Sequence, residues 1–295
     1  MKKLDFYVVD VFAEKKYAGN QLAVFLNARG LTTREMQAIA RETNFSETTF
    51  IIGGKPRQGG YDVRIFTPEE ELPFAGHPTL GTAFVIQRKL IRRPVRKVVL
   101  NLKVGPIPVD FKDQGKKPGI LWMKQLSPTF GRRFTAAKIG RALGLDERDL
   151  DGRYPVQEVS TGVPFVIAPL RTLRAVKKIE TDRSQFQAVL KGAQARCILV
   201  FCPQTYSKVN HLNVRMFAPL YGIPEDPATG SANGCLAGYL VKHRYFGSDR
   251  IDIRVEQGYE IGRPSILYLK AHKAAGKIQV YVGGKVVIVA RGEFI

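Results

Sequence analysis

Short apolar runs recur along the chain, and Gly, Pro and polar residues separate them. Runs of this length that are rich in Val, Ile, Phe and Tyr are typical of β-strands. In the first 125 residues they are LDFYVVDVF, LAVFLN, ETTFII, YDVRIF, KVVLNL, IPVDF and ILWMKQ. Nearer the carboxyl terminus they are RCILVFCP, LNVRMFAP, IDIRVEQ, SILYLKAH, KIQVYVG and KVVIVARGEF. The pattern therefore predicts a protein that is rich in strands throughout.

Helical periodicity interrupts these strands at a few places. Residues 32–44 carry an apolar stripe at helical spacing, and residues 79–90 are apolar nearly all round up to Ile86. A helix without a polar face is expected to be buried. Further helices are predicted at 135–145, at 182–192 and after the Gly-rich turn in EDPATGSANGCLAGYLVKH.

An internal repeat links the two halves of the chain. RIFTP at 64–68 matches RMFAP at 215–219, an offset of 151, and a Gly-rich loop and an apolar helix follow each copy. A looser match joins YAGNQLAVF to STGVPFVIA, with an offset of 143. Short strand motifs can coincide by chance, but the matched order of two pairs favours duplication. The prediction is two similar α+β halves, each a mainly antiparallel sheet around a central helix.

Composition narrows the class of protein. The 295 residues are 44% hydrophobic and 24% charged, which suits one large or two medium domains with substantial cores. No apolar run reaches the ~18 residues that a membrane span needs, so no membrane association is expected. Three cysteines are too few for a disulfide framework and indicate a reducing compartment. The sequence contains no zinc-binding spacing, so no metal is expected.

The formal net charge of +20 raises the question of a nucleic-acid partner. The densest basic run is QRKLIRRPVRK at 87–97, and the other Lys and Arg residues are dispersed. Because no known nucleic-acid-binding module accompanies the charge, a basic surface that aids solubility and attracts small anions is favoured.

Two loops suggest where the chemistry takes place. AGHPT and ATGSANG are dense in Gly and small polar residues, and each precedes or opens an apolar helix. Backbone N–H groups at a helix start are unsatisfied and carry partial positive charge. In a duplicated protein the two helix starts are expected to face each other across a cleft between the halves. Such a cleft suits a carboxylate, or the negative charge of a developing enolate.

Three side chains are candidates for acid–base work there: Glu47 in SETTF, His77 after Gly76, and Asp226 before Pro227. Taken singly, each has an ordinary explanation, as an exposed charge, a helix cap or a turn former. Together, beside two anion-suited loops, they predict an acid–base site without metal or nucleophile.

Several long motifs resemble the phenazine-biosynthesis PhzF family. They are VDVFAEKKYAGNQLAVFL, MQAIARETNFSETTFI, RIFTPEEELPFAGHPTLGTA, RMFAPLYGIPEDPATGSANGCLAGYL and EQGYEIGRPS, in the family's order. The resemblance implies the diaminopimelate epimerase-like α+β fold, with two pseudo-symmetric domains and an active site between them. We expect one domain over 1–125, completed by 284–295, and the other over 126–283.

The resemblance also implies roles for individual residues. The family's catalytic glutamate falls on Glu47, its supporting histidine on His77, its aspartate on Asp226 and its serine on Ser231. The hydroxyls of Ser46, Thr48 and Thr49 become candidate hydrogen-bond partners for the Glu47 carboxylate or the substrate.

Gly76 and Gly230 stand where the related epimerases have their two catalytic cysteines, and both are expected to bind substrate, as are Ser46 and Ser231. None of the three cysteines of this chain matches either position. A cysteine-pair epimerase is therefore disfavoured.

The expected activity is cofactor-independent isomerisation of a small cyclic unsaturated amino acid, similar to that of trans-2,3-dihydro-3-hydroxyanthranilate isomerase. An epimerase that pairs Glu47 with a second base other than cysteine, and a protein that only binds a small molecule, remain as alternatives. The resemblance implies a homodimer, and the composition a cytoplasmic location.

Overall fold

The computed structural model describes residues 3–112 and 119–295, and the chain forms two compact units. The first unit contains residues 1–123 and 283–295, and the second contains residues 124–282. Among the described residues, no helix is long and apolar enough to span a bilayer.

Strands and helices are numbered in chain order. The strands are β1 (Leu4–Val11), β2 (Asn20–Phe25), β3 (Glu47–Ile51), β4 (Tyr61–Phe66), β5 (Glu71–Leu72), β6 (Lys97–Leu102), β7 (Gly105–Lys112), β8 (Ile120–Lys124), β9 (Thr129–Phe134), β10 (Val156–Ser160), β11 (Pro164–Pro169), β12 (Ile198–Cys202), β13 (Leu212–Phe217), β14 (Arg250–Gln257), β15 (Ser265–Ala274), β16 (Lys277–Gly284) and β17 (Val286–Phe294). The helices are α1 (Thr33–Thr43), α2 (Gly76–Val85), α3 (Ala136–Leu143), α4 (Leu173–Lys177), α5 (Arg183–Leu190) and α6 (Gly230–Lys242).

The two units pair their strands in the same order. In the first unit, β17, β1, β2, β3, β4, β6 and β7 are successive neighbours, and only β2–β3 and β4–β6 are parallel. In the second unit, β9 to β15 are successive neighbours, and only β11–β12 and β13–β14 are parallel. Because the pairings match strand for strand, the predicted fold class of two pseudo-symmetric, mainly antiparallel α+β halves is confirmed.

A buried helix lies at the centre of each unit. Every residue of α2 is buried, and α6 is buried from Gly230 to Val241 except at Ser231. Helix α2 contacts β1, β2, β3, β6, β7 and β17, and α6 contacts β10, β11, β14 and β15. The all-round apolar pattern of these helices predicts this arrangement, since a helix with no polar face must be enclosed.

Smaller helices cover the outer faces of the sheets. In the first unit, Met36 and Ala40 of α1 pack with Phe25, Phe50 and Phe66 in one buried cluster. The rings of Phe25 and Phe50 stack with centroids 5.1 Å apart. Helices α3 and α5 pack in the same way on strands of the second unit. Strands that are covered on both faces, such as β12 and β13, are therefore buried along their whole length rather than at alternate residues.

The matched arginines of the repeat make the same local structure in both units. Arg64 donates two hydrogen bonds to the Glu71 carboxylate, at 2.8 and 2.7 Å, and its guanidinium lies over the Phe66 ring. Arg215 donates two to Glu225, at 3.1 and 2.7 Å, and lies over Phe217.

Strand register then gives residue-by-residue equivalences between the units. Thr48 lies opposite Phe66 in the β3–β4 pair, and Ile198 lies opposite Phe217 in the β12–β13 pair. Thr48 therefore corresponds to Ile198, and the preceding residues, Glu47 and Cys197, correspond to each other. The parallel pairs β2–β3 and β11–β12 give the same alignment, with the offset of 143 found in the sequence.

Some predicted boundaries were wrong. Helix α2 begins at Gly76 rather than at residue 79, so the AGHP loop contributes its first turn, and Ile86–Ile91 continue it as a π-helix. Proline fits the first turn of a helix because its missing N–H has no intrahelical partner there, and Pro78 occupies that place. Strands β5, β9, β10 and β11 and helix α4 were not among the predicted elements, although β11 lies in the looser repeat match.

The two arginine pairs differ in burial, and this difference generates a prediction. The side chains of Arg215 and Glu225 are 10% and 6% exposed, whereas those of Arg64 and Glu71 are 27% and 11% exposed. We expect Arg215→Met to lower the free energy of unfolding by about 3–5 kcal/mol, because it leaves Glu225 buried without its cation. Arg64→Met is the matched control, with a smaller expected loss. Urea unfolding followed by circular dichroism measures both, and equal losses would contradict the prediction.

Candidate active site

Strand alternation places Glu47 on the face of β3 that meets the central helix. The side chain of Thr49, two residues further on, bonds Thr82 of α2 at 2.8 Å between hydroxyl oxygens. Thr48 points the other way and bonds Thr43 of α1 at 2.8 Å. Because alternate residues of a strand share a face, Glu47 lies with Thr49 on the α2 side. Its side chain is 17% exposed.

His77 occupies the second position of α2 and meets Glu47 there. The His77 Nε2 atom lies 3.4 Å from Glu47 Oε2 and 3.3 Å from the backbone oxygen of Gln21. The His77 side chain is only 6% exposed. Two of the three predicted catalytic residues are therefore in contact within the first unit.

The surroundings of His77 fix its protonation. Burial lowers the pKa of His77 to about 3, and the hydrogen bond to the Gln21 carbonyl offsets part of that effect. The imidazole is therefore neutral near pH 7. A carbonyl oxygen can only accept, so the single proton of the neutral ring is assigned to Nε2 by its partners. This N–H lies between the Gln21 oxygen and the Glu47 carboxylate.

Both central helices begin without a side-chain cap. The residue before α2 is Ala75, which has no side-chain acceptor, and Thr229 before α6 makes no capping hydrogen bond either. No acidic residue lies in the first turn of either helix. Gly76 and Gly230 are the first residues of the two helices, so each Gly-rich loop opens a helix. The amides at these positions suit a negatively charged group.

Asp226 belongs to a hydrogen-bonded network before α6. Its N–H donates to the Met216 oxygen at 3.0 Å, and its Oδ2 accepts a short hydrogen bond from the Thr229 hydroxyl. The carboxamide of Gln257, fully buried at the end of β14, bonds both residues. Sequence reasoning missed Thr229 and Gln257, although both lie inside motifs that resemble the family, ATGSA and EQGYEIGRPS.

The remaining predicted residues are placed as follows. Ser46 is partly buried in the bend before β3, and Ser231 is the partly buried second residue of α6, where His77 stands in α2. The hydroxyls of Thr48 and Thr49 bond Thr43 and Thr82, and their service to Glu47 or the substrate stays a prediction.

The cysteines do not offer a second base. All three are free and buried. Burial raises the pKa of the Cys197 thiol to about 12, and the negative charge of Asp226 adds to the effect. Burial likewise raises the pKa of Cys202 and of Cys235 to about 12. Within residues 3–112 and 119–295, no group of three or more His, Cys, Asp or Glu side chains is arranged to hold a metal ion.

The chain is similar to known proteins of one family over nearly its whole length. The model of the phenazine biosynthesis-like protein family matches residues 9–292. Trans-2,3-dihydro-3-hydroxyanthranilate isomerase from Pseudomonas aeruginosa is 34% identical over 294 residues, covering 98% of this chain and 98% of that protein.

Solved structures show the same fold. A PhzF-family phenazine biosynthesis protein from Bacillus anthracis superposes with a TM-score of 0.92 at 29% identity, and the match covers 100% of both chains. A hydroxyproline epimerase from Agrobacterium vitis shares the fold alone, with a TM-score of 0.65 at 9% identity over 100% of this chain and 91% of that one. The chain is an isomerase that belongs to the phenazine biosynthesis-like PhzF family.

Proposed function

We propose that this protein is a cofactor-independent isomerase that moves a proton on a small cyclic unsaturated amino acid. The activity is similar to that named for its Pseudomonas aeruginosa relative, which acts on trans-2,3-dihydro-3-hydroxyanthranilate. The proposed catalytic residues are Glu47, His77 and Asp226. Four residues are proposed to bind the substrate: Ser46, Gly76, Gly230 and Ser231.

The contact between Glu47 and a neutral His77 carries the proposal. A protonated imidazole at this distance would stabilise the carboxylate charge strongly and make Glu47 a weaker base. A neutral imidazole exerts no such charge effect on the carboxylate, whose Oε2 atom lies 3.4 Å from its Nε2 atom. Because His77 is neutral and its pKa is about 3, it is a poor proton acceptor near pH 7. The base of the pair is therefore Glu47.

The proposed reaction needs one base that works twice. Glu47 takes a proton from one ring carbon, and the electron pair of the broken C–H bond spreads over the adjacent double bonds. Protonated Glu47 then returns the proton to a carbon at the other end of the conjugated system. One C–H bond breaks and another forms, so the step consumes no oxidant or reductant.

The uncapped helix starts suit the negative charge in this scheme. Amides at the start of α2 and α6 are proposed to hold the carboxylate of the substrate and the charge that develops during proton transfer. The net charge of +20 fits an anionic substrate, since a basic surface raises the local concentration of small anions.

An epimerase with two bases is the second candidate, because the fold is shared with a hydroxyproline epimerase. Such an enzyme needs a base on each face of one carbon. Here the equivalents of Glu47 and His77 in the second unit are Cys197 and Ser231, and the Cys197 thiol is held neutral by a pKa of about 12. Glycine occupies the first position of both central helices. These observations favour a single base, with Asp226 as the remaining candidate for a second.

We further propose a cytoplasmic homodimer, which the family resemblance implies. The three free thiols fit a reducing compartment. Light scattering of the purified protein at several concentrations tests the dimer, and a constant monomer mass would rule it out.

Glu47→Gln tests the single-base mechanism. The amide keeps the size of the side chain but cannot accept the proton, so we expect turnover of trans-2,3-dihydro-3-hydroxyanthranilate to fall by about 10²–10⁴-fold. Glu42→Gln, an exposed change on α1 of the same unit, is the control and should leave the rate unchanged. Retained turnover in the Glu47 variant would show that another group is the base.

The fate of the proton separates the two candidate activities. For the isomerase we expect any deuterium that enters from D₂O, by exchange on protonated Glu47, to appear only at the carbon that receives the proton, and recovered substrate to keep its configuration. An epimerase would instead exchange hydrogen for deuterium at one carbon and invert it. NMR of product and recovered substrate distinguishes these outcomes.

The depressed pKa of His77 predicts a pH-dependent stability. Its folded-state pKa of about 3 lies below the ordinary histidine pKa of 6.5, so the unfolded state binds more protons between these values. The contribution to stability is complete above about pH 6.5 and is lost as the pH falls toward 3. Between about pH 7.5 and about pH 5, the wild type should lose about 2 kcal/mol more unfolding free energy than His77→Gln.

Urea unfolding of both proteins at the two pH values measures this difference. A general destabilisation by the substitution cancels, because only the change with pH is compared. Equal pH dependence in the two proteins would mean that His77 is not buried in its neutral form.

A further inference from the structure

The Gln257 carboxamide makes four hydrogen bonds at the start of α6. Its Nε2 donates to the Asp226 backbone oxygen at 2.8 Å and to the Thr229 hydroxyl at 3.1 Å. Its Oε1 accepts from the Thr229 backbone N–H at 3.2 Å and from Asn233 Nδ2 at 2.8 Å. An amide has two donor hydrogens and two acceptor sites on oxygen, so the group is fully used.

Two backbone partners fix which way round this amide lies. The Asp226 carbonyl can only accept and the Thr229 N–H can only donate. Nε2 must therefore face Asp226, and Oε1 must face Thr229. The next residue holds the same segment close: Gly258 has φ of +75°, and a Cβ there would lie 2.6 Å from the Pro227 backbone oxygen.

The orientation of Gln257 determines what the Thr229 hydroxyl does. Because Nε2 only donates, the hydroxyl oxygen accepts from it, and the hydroxyl proton points to Asp226 Oδ2. A threonine before the first residue of a helix ordinarily turns its hydroxyl toward the helix amides. Here it makes no such cap. The hydroxyl is directed onto the aspartate, and the amides at the start of α6 are left without it.

The first unit builds the same fold without this network. Ala75 precedes α2 at the place that Thr229 has before α6. Gln257 of β14 lies opposite Val214 of β13. The corresponding strands of the first unit are β6 and β4, in which Asn101 lies opposite Asp62. Continuing this register by one residue puts Leu102 at the position that corresponds to Gln257. The fold therefore accepts Ala and Leu at these two positions. Stabilisation of the fold alone therefore does not explain why the second unit has Thr229 and Gln257 at these positions.

We propose that Gln257 and Thr229 are positioning residues, through which Gln257 directs the Thr229 hydroxyl onto the Asp226 carboxylate and away from the start of α6. This inference rests on the proposed catalytic role of Asp226. It adds two residues that act through Asp226 and assigns a direction to each hydrogen bond that links them.

Thr229→Ala and Gln257→Leu test the proposal, because each introduces the residue that the first unit uses. We expect either change to lower kcat for trans-2,3-dihydro-3-hydroxyanthranilate by about 10–100-fold, since a small displacement of an acting group costs that much. Thr229→Ser keeps the hydroxyl and should retain most of the rate. Thr172→Ala removes a threonine that does cap its helix, α4, in the same unit, and should leave kcat unchanged.

A double-mutant cycle separates positioning from general structural damage. If Thr229 acts through Asp226, adding Thr229→Ala to Asp226→Asn should lower kcat no further. A further loss equal to that of Thr229→Ala alone would overturn the proposal. If Asp226→Asn alone keeps normal turnover, the proposed role of Asp226 is wrong and the positioning role falls with it. If Asp226→Asn lowers kcat but Thr229→Ala and Gln257→Leu do not, the role of Asp226 stands and only the positioning role is wrong.

Crystal structures give a readout that does not depend on the substrate. In Thr229→Ala we expect the Asp226 side chain to leave the rotamer that it has in the wild type, and in Thr229→Ser to keep it. An unchanged Asp226 in the alanine variant would overturn the positioning role even if the isomerase activity is established.

Discussion

A helix without a polar face cannot stand at a protein surface, and this constraint organises both units. Helices α2 and α6 are buried along nearly their whole length, so strands must surround them. Enclosure leaves the helix ends as the places where polar chemistry can reach the central helix. At its start α2 meets Glu47, because strand alternation turns that carboxylate toward the helix. The site of the first unit thus follows from how the core is covered.

Duplication supplies two copies of this arrangement, and the copies differ at the proposed site residues. The arginine pairs, the strand order and the glycine that begins each central helix are the same in both units. Glu47 and His77, however, correspond to Cys197 and Ser231. In turn, Thr229 and Gln257 correspond to Ala75 and Leu102. The two units share the same scaffold, but each has polar side chains at positions where the other has less basic or apolar ones. This difference fits a division of the proposed catalytic roles between the units.

Much of this could be predicted from the sequence, for reasons that particular residues make clear. The apolar strands and the two buried helices follow from local patterns, and so does the repeat. Strands β9 and β10 were missed because their sequences, TFGRRF and VQEVS, are too polar. The buried carboxylate of Glu158 in β10 accepts the N–H groups of Gln194 and Ala195, both at 3.1 Å. Such partners lie far along the chain, and no local pattern reveals them.

The same limit applies to the site. Glu47 and His77 were candidates from their motifs and were given roles by the family resemblance, but their contact and the neutral state of His77 depend on burial that only the fold creates. Gln257 is the clearest case, because a glutamine in a strand carries no signal of its own. Its role depends on the Asp226 backbone oxygen, which is an acceptor, and on the Thr229 backbone N–H, which is a donor. Only one orientation of an amide can bond both groups. A carboxylate at that position could not donate to the Asp226 oxygen, and an apolar side chain could direct neither group. The amide is therefore the one neutral side chain of this length that can orient the threonine hydroxyl toward the aspartate.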